Sequence, residues 1–389
     1  MSDEFGLVVV GGGPAGFSAA RAYRDADGDG PVAIVTDEER MPYLRPPLTK
    51  ELLRGDMDEE ALPLESDAWL TGNDASLVGG RAMRIDPVER SVTLAGGRSL
   101  GYHRCVLATG AEPRRLPIPG VDDPGVRVVR SLDHVRELLR RLVAGDPVIV
   151  VGSGFIGCEI AASLRRRGHP VTMISDEQAP NVSRLGSESA EVIASWLREE
   201  GVETHFARAV EAIERRDDTL HLSADDVPIE AKVVVMATGV APRSELVTAL
   251  GLSSVNGAVP VDVAMRTELP GVLAAGDVCL AKNATAGRRI RVEHWGDALE
   301  QGQIAGATAA GGDARWDAVP GFWSTIGDRV LKYAAWGDGY DVARHTAHPD
   351  GGFTTWYGRQ GVLVGVLAHA ADADYEHGGR LIARGAPWT

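Results

Sequence analysis

Two glycine-rich turns carry the most specific chemistry in the 389-residue chain. In the first, Gly11, Gly13 and Gly16 flank Pro14 and Ala15; in the second, Gly152, Gly154 and Gly157 repeat the spacing. Such a turn needs one glycine where the chain bends sharply and a second where backbone comes against a pyrophosphate. A third lets the following helix pack closely on its strand. That helix turns its N-terminal N–H groups towards the phosphates. About 20 positions after the last glycine an acidic side chain is expected to accept a hydrogen bond from a ribose hydroxyl. Asp37 stands there in the first unit and the pair Asp176–Glu177 in the second. No Arg or Lys follows the second pair until Arg184. NADH is therefore favoured over NADPH, whose 2′-phosphate needs a cation.

Two residue types are informative through their scarcity. The lysines are Lys50, Lys232, Lys282 and Lys332, in a chain whose other basic residues are all arginine. A lysine in that setting suggests a compact charge of tunable pKa where a planar fork would not serve. Cys105, Cys158 and Cys279 lie far apart, so there is neither a redox-active pair nor zinc-ligand spacing, and no metal site is expected. Each sits in an apolar segment and reads as a small buried hydrophobe.

The elements that must position these residues form two strand–turn–helix–strand units. Residues 7–10, 17–23 and 32–35 make the first, and residues 148–151, 158–167 and 171–174 the second. The repeat predicts an α/β protein with two Rossmann-like nucleotide-binding domains. Further strands are expected at 91–94, 105–108, 232–237 and 272–274, and a helix over 298–310 that ends at Gly311–Gly312. Short apolar runs at 330–336 and 362–368 predict antiparallel strands in a small α+β C-terminal domain. Pro46–Pro47 block helix locally, and residues 48–53 can start one after them.

Lys+Arg number 40 against 55 Asp+Glu, a net charge of −15. So acidic a chain is a poor partner for nucleic acid or anionic membrane. No apolar run reaches the length of a membrane span, and the chain reads as cytoplasmic.

Six further segments carry a family resemblance. They are Tyr43-Leu44-Arg45-Pro46-Pro47-Leu48-Thr49-Lys50, Ala108-Thr109-Gly110, Ala237-Thr238-Gly239, Ala275-Gly276-Asp277, Val292-Glu293-His294-Trp295 and Phe322-Trp323-Ser324. In order and spacing the set resembles the ferredoxin-reductase-like branch of the pyridine-nucleotide–disulfide oxidoreductase superfamily, which includes putidaredoxin reductase, rubredoxin reductase and apoptosis-inducing factor. The resemblance implies an FAD-binding domain at 1–113 and 242–314, an NAD-binding domain at 114–241 and a C-terminal interface domain at 315–389. Asp277 is then similar to the aspartate holding the ribityl chain of FAD, and Arg45 to an arginine near the FAD phosphates. The resemblance puts Lys50 near flavin N5, with Glu159 as its partner. A fixed cation and the N-terminus of a helix starting near Trp295 would stabilise negative charge where it develops on the flavin. Backbone N–H groups at His294 and Trp295 matter more in this reading than their side chains. No second His or carboxylate is expected at ligand spacing from His294. Trp295 and Trp323 resemble aromatics that flank the flavin, with core packing as the competing account.

Where disulfide reductases of the superfamily place a cysteine pair, this chain has Pro47, Leu48 and Thr49. Electrons from NADH must then pass to an external acceptor. The resemblance implies an iron–sulfur carrier, a ferredoxin or rubredoxin. Arg288, Arg289 and Arg291 form the candidate basic patch for it, with an ordinary solvated turn as the equal alternative, while the overall charge opposes an acidic partner beyond a Debye length of about 8 Å. A redox sensor like apoptosis-inducing factor, with slow NADH oxidation, and a quinone or oxygen reductase are the alternatives. Monomer and homodimer both stay open.

Overall fold

The computed structural model describes residues 3–38, 40–224 and 227–388. Its first sheet sets strands Ala75–Gly79, Val32–Thr36, Asp3–Val10 and Ser99–Leu107 side by side, all parallel. The long strand Ser99–Leu107 then serves two neighbours on one edge. Its first residues pair antiparallel with Ser91–Leu94, which in turn pairs with Ala82–Asp86, and its last residues pair in parallel with Val272–Ala274. Val8, Val9 and Val106 have no exposed surface, as expected of central strands covered on both faces.

The second sheet is wholly parallel, in the order Glu203–His205, Val171–Ile174, Val148–Val151, Val233–Met236 and Val126–Arg127. A two-stranded antiparallel ribbon of Ala111–Pro113 and Val240–Pro242 carries the chain out to this unit and back. Strands Ala212–Arg216, Thr219–Ala224 and Val227–Ala231 form an antiparallel sheet within the same stretch. The C-terminal part is a five-stranded antiparallel sheet, Gly321–Ile326, Arg329–Ala335, Val362–His369, Phe353–Arg359 and Val342–Ala347, with helix Asp372–Ala383 packed against it.

Strands stand where the sequence predicts them at 148–151, 171–174, 272–274 and 91–94. The helix expected at 48–53 does not form as one element. Pro46–Thr49 make a 3-10 turn, with the prolines in the first positions where their missing N–H costs nothing, and Glu51–Arg54 make a separate helical turn. Lys50 lies at the break (φ −123°, ψ −106°), and its side chain is drawn inwards, 6% exposed.

Helix Pro14–Asp25 packs on helix Trp295–Ala309 with almost no side chain between them. A Cβ on Gly302 would overlap the carbonyl oxygen of Ala15, and one on Gly306 that of Ala19. Ser18 Oγ also donates to the carbonyl of Leu299 at 2.7 Å. This contact sets the N-termini of both helices against one wall. Among the described residues, no helix is long and apolar enough to cross a membrane.

Candidate active site

Both glycine-rich turns, the Lys50 turn, the start of helix Trp295–Ala309 and the C-terminal sheet enclose one cleft of about 1810 Å³. That exceeds the roughly 300–1,000 Å³ of a single small-ligand pocket. The walls include Gly11, Gly13, Pro14 and Ala15 on one side and Gly152 and Gly154 on another. Asp37, Arg45, Lys50, Ala108, Thr109, Gly110, Glu159, Asp176, Glu177, Gly239, Asp277, His294, Trp295 and Trp323 line it as well. Gly16 and Gly157 lie behind the walls. A Cβ on either would overlap the backbone of Gly11 or Gly152, so each holds a helix close to its turn.

The helices starting at Pro14, Phe155 and Trp295 share a property that fits anionic ligands: none has a side chain capping its first turn. Their N-terminal amides are left for phosphate or for negative charge on a ligand, which the helix dipole also favours. Nothing lies within 4 Å of a Cβ placed on Gly13 or on Gly154. The residues present therefore fit FAD at the first turn and NADH at the second.

At the cleft floor Lys50 Nζ is 2.9 Å from Glu159 Oε2. Glu159 is 2% exposed and sits in helix Phe155–Arg166, just past the turn itself. Thr49 Oγ1 donates to the same oxygen at 2.5 Å, while Ser324 Oγ at 2.8 Å and the Thr325 N–H at 3.3 Å donate to Oε1. Four donors from two parts of the chain thus hold one buried carboxylate.

A second network fixes Asp277. Gln301 accepts a hydrogen bond from the N–H of Gly276 at 3.0 Å, anchoring the turn to helix Trp295–Ala309. Asp277 itself is ion-paired with Arg130 at 2.6 Å. Arg45, which lines the cleft, has its guanidinium bound to Glu38 at 2.5 Å and to the carbonyl of Arg130 at 2.8 Å. Burial alone would raise the Glu38 carboxyl, but the Arg45 charge and hydrogen bonds from Tyr43 and Arg45 hold it below the usual carboxylate range. Tyr43 is pushed up to about 12, mainly by burial. Asp37 remains exposed at the cleft edge, 3.9 Å from Arg243. Asp277→Ala leaves Arg130 unpaired beside the ligand and should weaken FAD binding by at least about 30-fold. The ratio of flavin to protein absorbance after desalting checks this, and a fully yellow desalted variant would refute it.

His294 packs on Phe322, centroids 4.6 Å apart, and Phe322 on Phe155 at 4.8 Å. The expectation of no carboxylate at ligand spacing from His294 fails. Asp297, one helical turn on, lies 2.9 Å from Nδ1, because positions i and i+3 share a helix face. Among the described residues no group of three or more His, Cys, Asp or Glu could hold a metal ion. Trp323 is not core: it is 45% exposed at the cleft, and Trp295 is half-buried there. The candidate basic patch carries acidic neighbours. Arg288 pairs with Asp338 and Arg291 with Glu293, so acidic neighbours offset two of the three arginines.

None of the three cysteines lines the cleft. All are buried and free, and burial pushes the Cys105 thiol up to about 12 and raises those of Cys158 and Cys279 as well. Sequence reasoning assigned no role to Arg130, Glu38, Thr49, Ser324 or Gln301. Ser324 and Thr49 had a signal, their places in Phe322-Trp323-Ser324 and in the segment ending at Lys50.

Two nucleotide-binding units meeting at one cleft, with a buried lysine–carboxylate pair at its floor, define a dinucleotide-dependent oxidoreductase. The chain belongs to the pyridine nucleotide-disulphide oxidoreductase family, whose sequence model matches residues 5–302. It is 35% identical over 391 residues to the ferredoxin–NAD(+) reductase component of an anthranilate 1,2-dioxygenase system from Burkholderia cepacia, covering 98% of this chain and 94% of that one. Among solved structures it is similar to the ferredoxin reductase for the CYP199A2 system from Rhodopseudomonas palustris, with a TM-score of 0.93, 28% identity and coverage of 100% and 96%. A covalent putidaredoxin reductase–putidaredoxin complex matches with a TM-score of 0.92 at 28% identity, covering 99% of this chain and 94% of that one.

Proposed function

We propose that the chain is an FAD-containing NADH oxidoreductase that passes single electrons to an iron–sulfur carrier of the ferredoxin or rubredoxin type. The observation that carries this reading is the cleft floor. Pro47, Leu48 and Thr49 occupy the turn beside Lys50, and no cysteine borders the cleft. Reducing equivalents taken from NADH have no internal disulfide to reduce and must leave the protein. Relatives named for ferredoxin, and a solved relative held with its putidaredoxin, support a small iron–sulfur protein as the acceptor.

When bound, FAD supplies the conversion of a two-electron hydride transfer into two single-electron transfers. The chain's residues do the rest. The turn at Gly11–Gly16 and the helix after it hold the FAD pyrophosphate, with Asp277 at the ribityl chain. The turn at Gly152–Gly157 holds NADH, and Asp176 or Glu177 meets its adenosine ribose. Lys50 places a fixed positive charge at the floor, and the N-terminus of helix Trp295–Ala309 adds a dipole of the same sign. Trp323, exposed at the cleft, lies on the electron exit. Each NADH oxidised this way releases one proton and two electrons. The out-and-back ribbon at Ala111–Pro113 and Val240–Pro242 supports a division into an FAD domain at 1–113 and 242–314, an NAD domain at 114–241 and a C-terminal domain at 315–389. Three buried, unpaired cysteines support a reducing, cytoplasmic location.

Anaerobic stopped-flow against NADH tests the reading. Rapid bleaching of the yellow protein, with cytochrome c reduced fast only once a ferredoxin is added, is expected. Slow bleaching and a reduced protein stable in air would point to a redox sensor, a role for which the short connections of the C-terminal sheet offer no regulatory insertion. Turnover of small quinones with no carrier would point to a quinone reductase. Glu177 is half-buried and accepts a hydrogen bond from Ser183. Glu177→Arg would set a cation where a 2′-phosphate sits and should raise the NADPH:NADH ratio of kcat/KM about tenfold. An unchanged ratio would leave the choice to Asp176 or to the backbone.

A further inference from the structure

The Glu159 carboxylate has more donors than a partner for one lysine needs. Lys50 and Thr49 share Oε2, while Oε1 is taken by the Ser324 hydroxyl at 2.8 Å and the Thr325 N–H at 3.3 Å. Ser324 is 1% exposed and Glu159 2%, so the carboxylate is held chiefly by these protein donors. In a dry site the distribution of donors over the two oxygens decides where the negative charge is answered. Two neutral dipoles on Oε1 draw charge away from Oε2, and Thr49 takes part of what remains. The Lys50 ammonium, 6% exposed at its side chain, is then less completely cancelled by its own partner.

Ser324 comes from strand Gly321–Ile326 of the C-terminal sheet, 165 positions from Glu159. It follows Trp323 directly; both border the cleft, Trp323 exposed and Ser324 buried, as successive strand residues face opposite sides. We propose that Ser324 is a positioning residue, whose hydroxyl holds the Glu159 charge on Oε1 and so leaves the Lys50 ammonium available to the reduced cofactor in the cleft. The inference rests on the functional reading above. It gives the C-terminal sheet a direct electrostatic part in the reaction.

The test is the midpoint potential of the bound flavin, measured by equilibration with reference dyes. Ser324→Ala should make reduction by NADH about tenfold less favourable, a fall of about 30 mV for a two-electron couple. Ser324→Cys, close in shape with a weak donor, should fall between the variant and wild type. In a Lys50→Met background Ser324→Ala should leave the potential unchanged, because the route runs through the lysine. An unshifted potential in yellow, folded Ser324→Ala and Ser324→Cys would overturn the inference, as would an equal shift with and without Lys50. A wild-type protein that binds no FAD, or that NADH does not reduce, overturns the functional reading and this inference together.

Discussion

Lys50→Met should slow the reduction of the bound flavin by NADH by about 10²- to 10³-fold, the scale seen when one preorganised charge or donor is removed from a developing anion. The side chain is 6% exposed and 2.9 Å from Glu159, so no solvent ion replaces it. Removing one member of a buried pair also costs about 3–5 kcal/mol of stability when the partner is left without compensation. Here Thr49, Ser324 and the Thr325 N–H still hold Glu159, so the loss should lie at or below the lower end of that range. Lys50→Met/Glu159→Gln separates the two effects: stability should recover and rate should not. Lys50→Arg should rescue poorly, because a planar guanidinium does not fit a space built for a compact ammonium. Stopped-flow reduction and thermal unfolding of the same preparations decide the matter. A Lys50→Met protein reduced at the wild-type rate would remove the lysine from the chemistry.

Gly302→Val should abolish FAD retention and lower stability by about 3 kcal/mol, the upper end of overpacking costs. The position lies under the backbone of Ala15, in the first turn of the helix that begins at Pro14. Backbone cannot rotate aside as a side chain can. The two helices must separate, and both carry their N-termini in the cleft wall. Gly306→Ala, against Ala19, should show a milder form of the same loss. Gly296→Ala is the control. It lies in the same helix with nothing within 4 Å of its Cβ, so helix propensity should leave it neutral or more stable by up to about 1 kcal/mol. Melting temperature and flavin content distinguish the three. A yellow Gly302→Val protein of normal stability would contradict the backbone contact.

The nucleotide-binding half of this architecture was legible because its constraints are local. A glycine that must bend, a glycine that must admit phosphate and a strand of four apolar residues all declare themselves within about 30 positions. The residues 148–151 and 171–174 are strands as read. The contacts around the site were not legible in the same way. Arg130 reaches Asp277 across 147 positions, and Ser324 reaches Glu159 across 165. No local periodicity encodes a meeting between segments so far apart. Gly302 and Gly306 were hidden for another reason: in an alanine-rich helix a glycine reads as a weak spot, and only the partner helix reveals a close approach. The Lys50 turn shows a limit of local rules, since a proline pair stops an α-helix but still permits a 3-10 turn, and the break between the two elements is what sends the lysine inwards.

The burial of every cysteine has a practical side. Cys105 and Cys279 are enclosed in strands and Cys158 in a helix, and their raised pKa values keep them as thiols. Alkylating agents and mercurials that inactivate enzymes through an exposed thiolate find no target on this surface. A cysteine introduced at Val143, 71% exposed and not among the residues lining the cleft, would then be a unique attachment point. A maleimide dye or an electrode linker placed there would report on, or draw current from, the protein without any native residue having to be removed first.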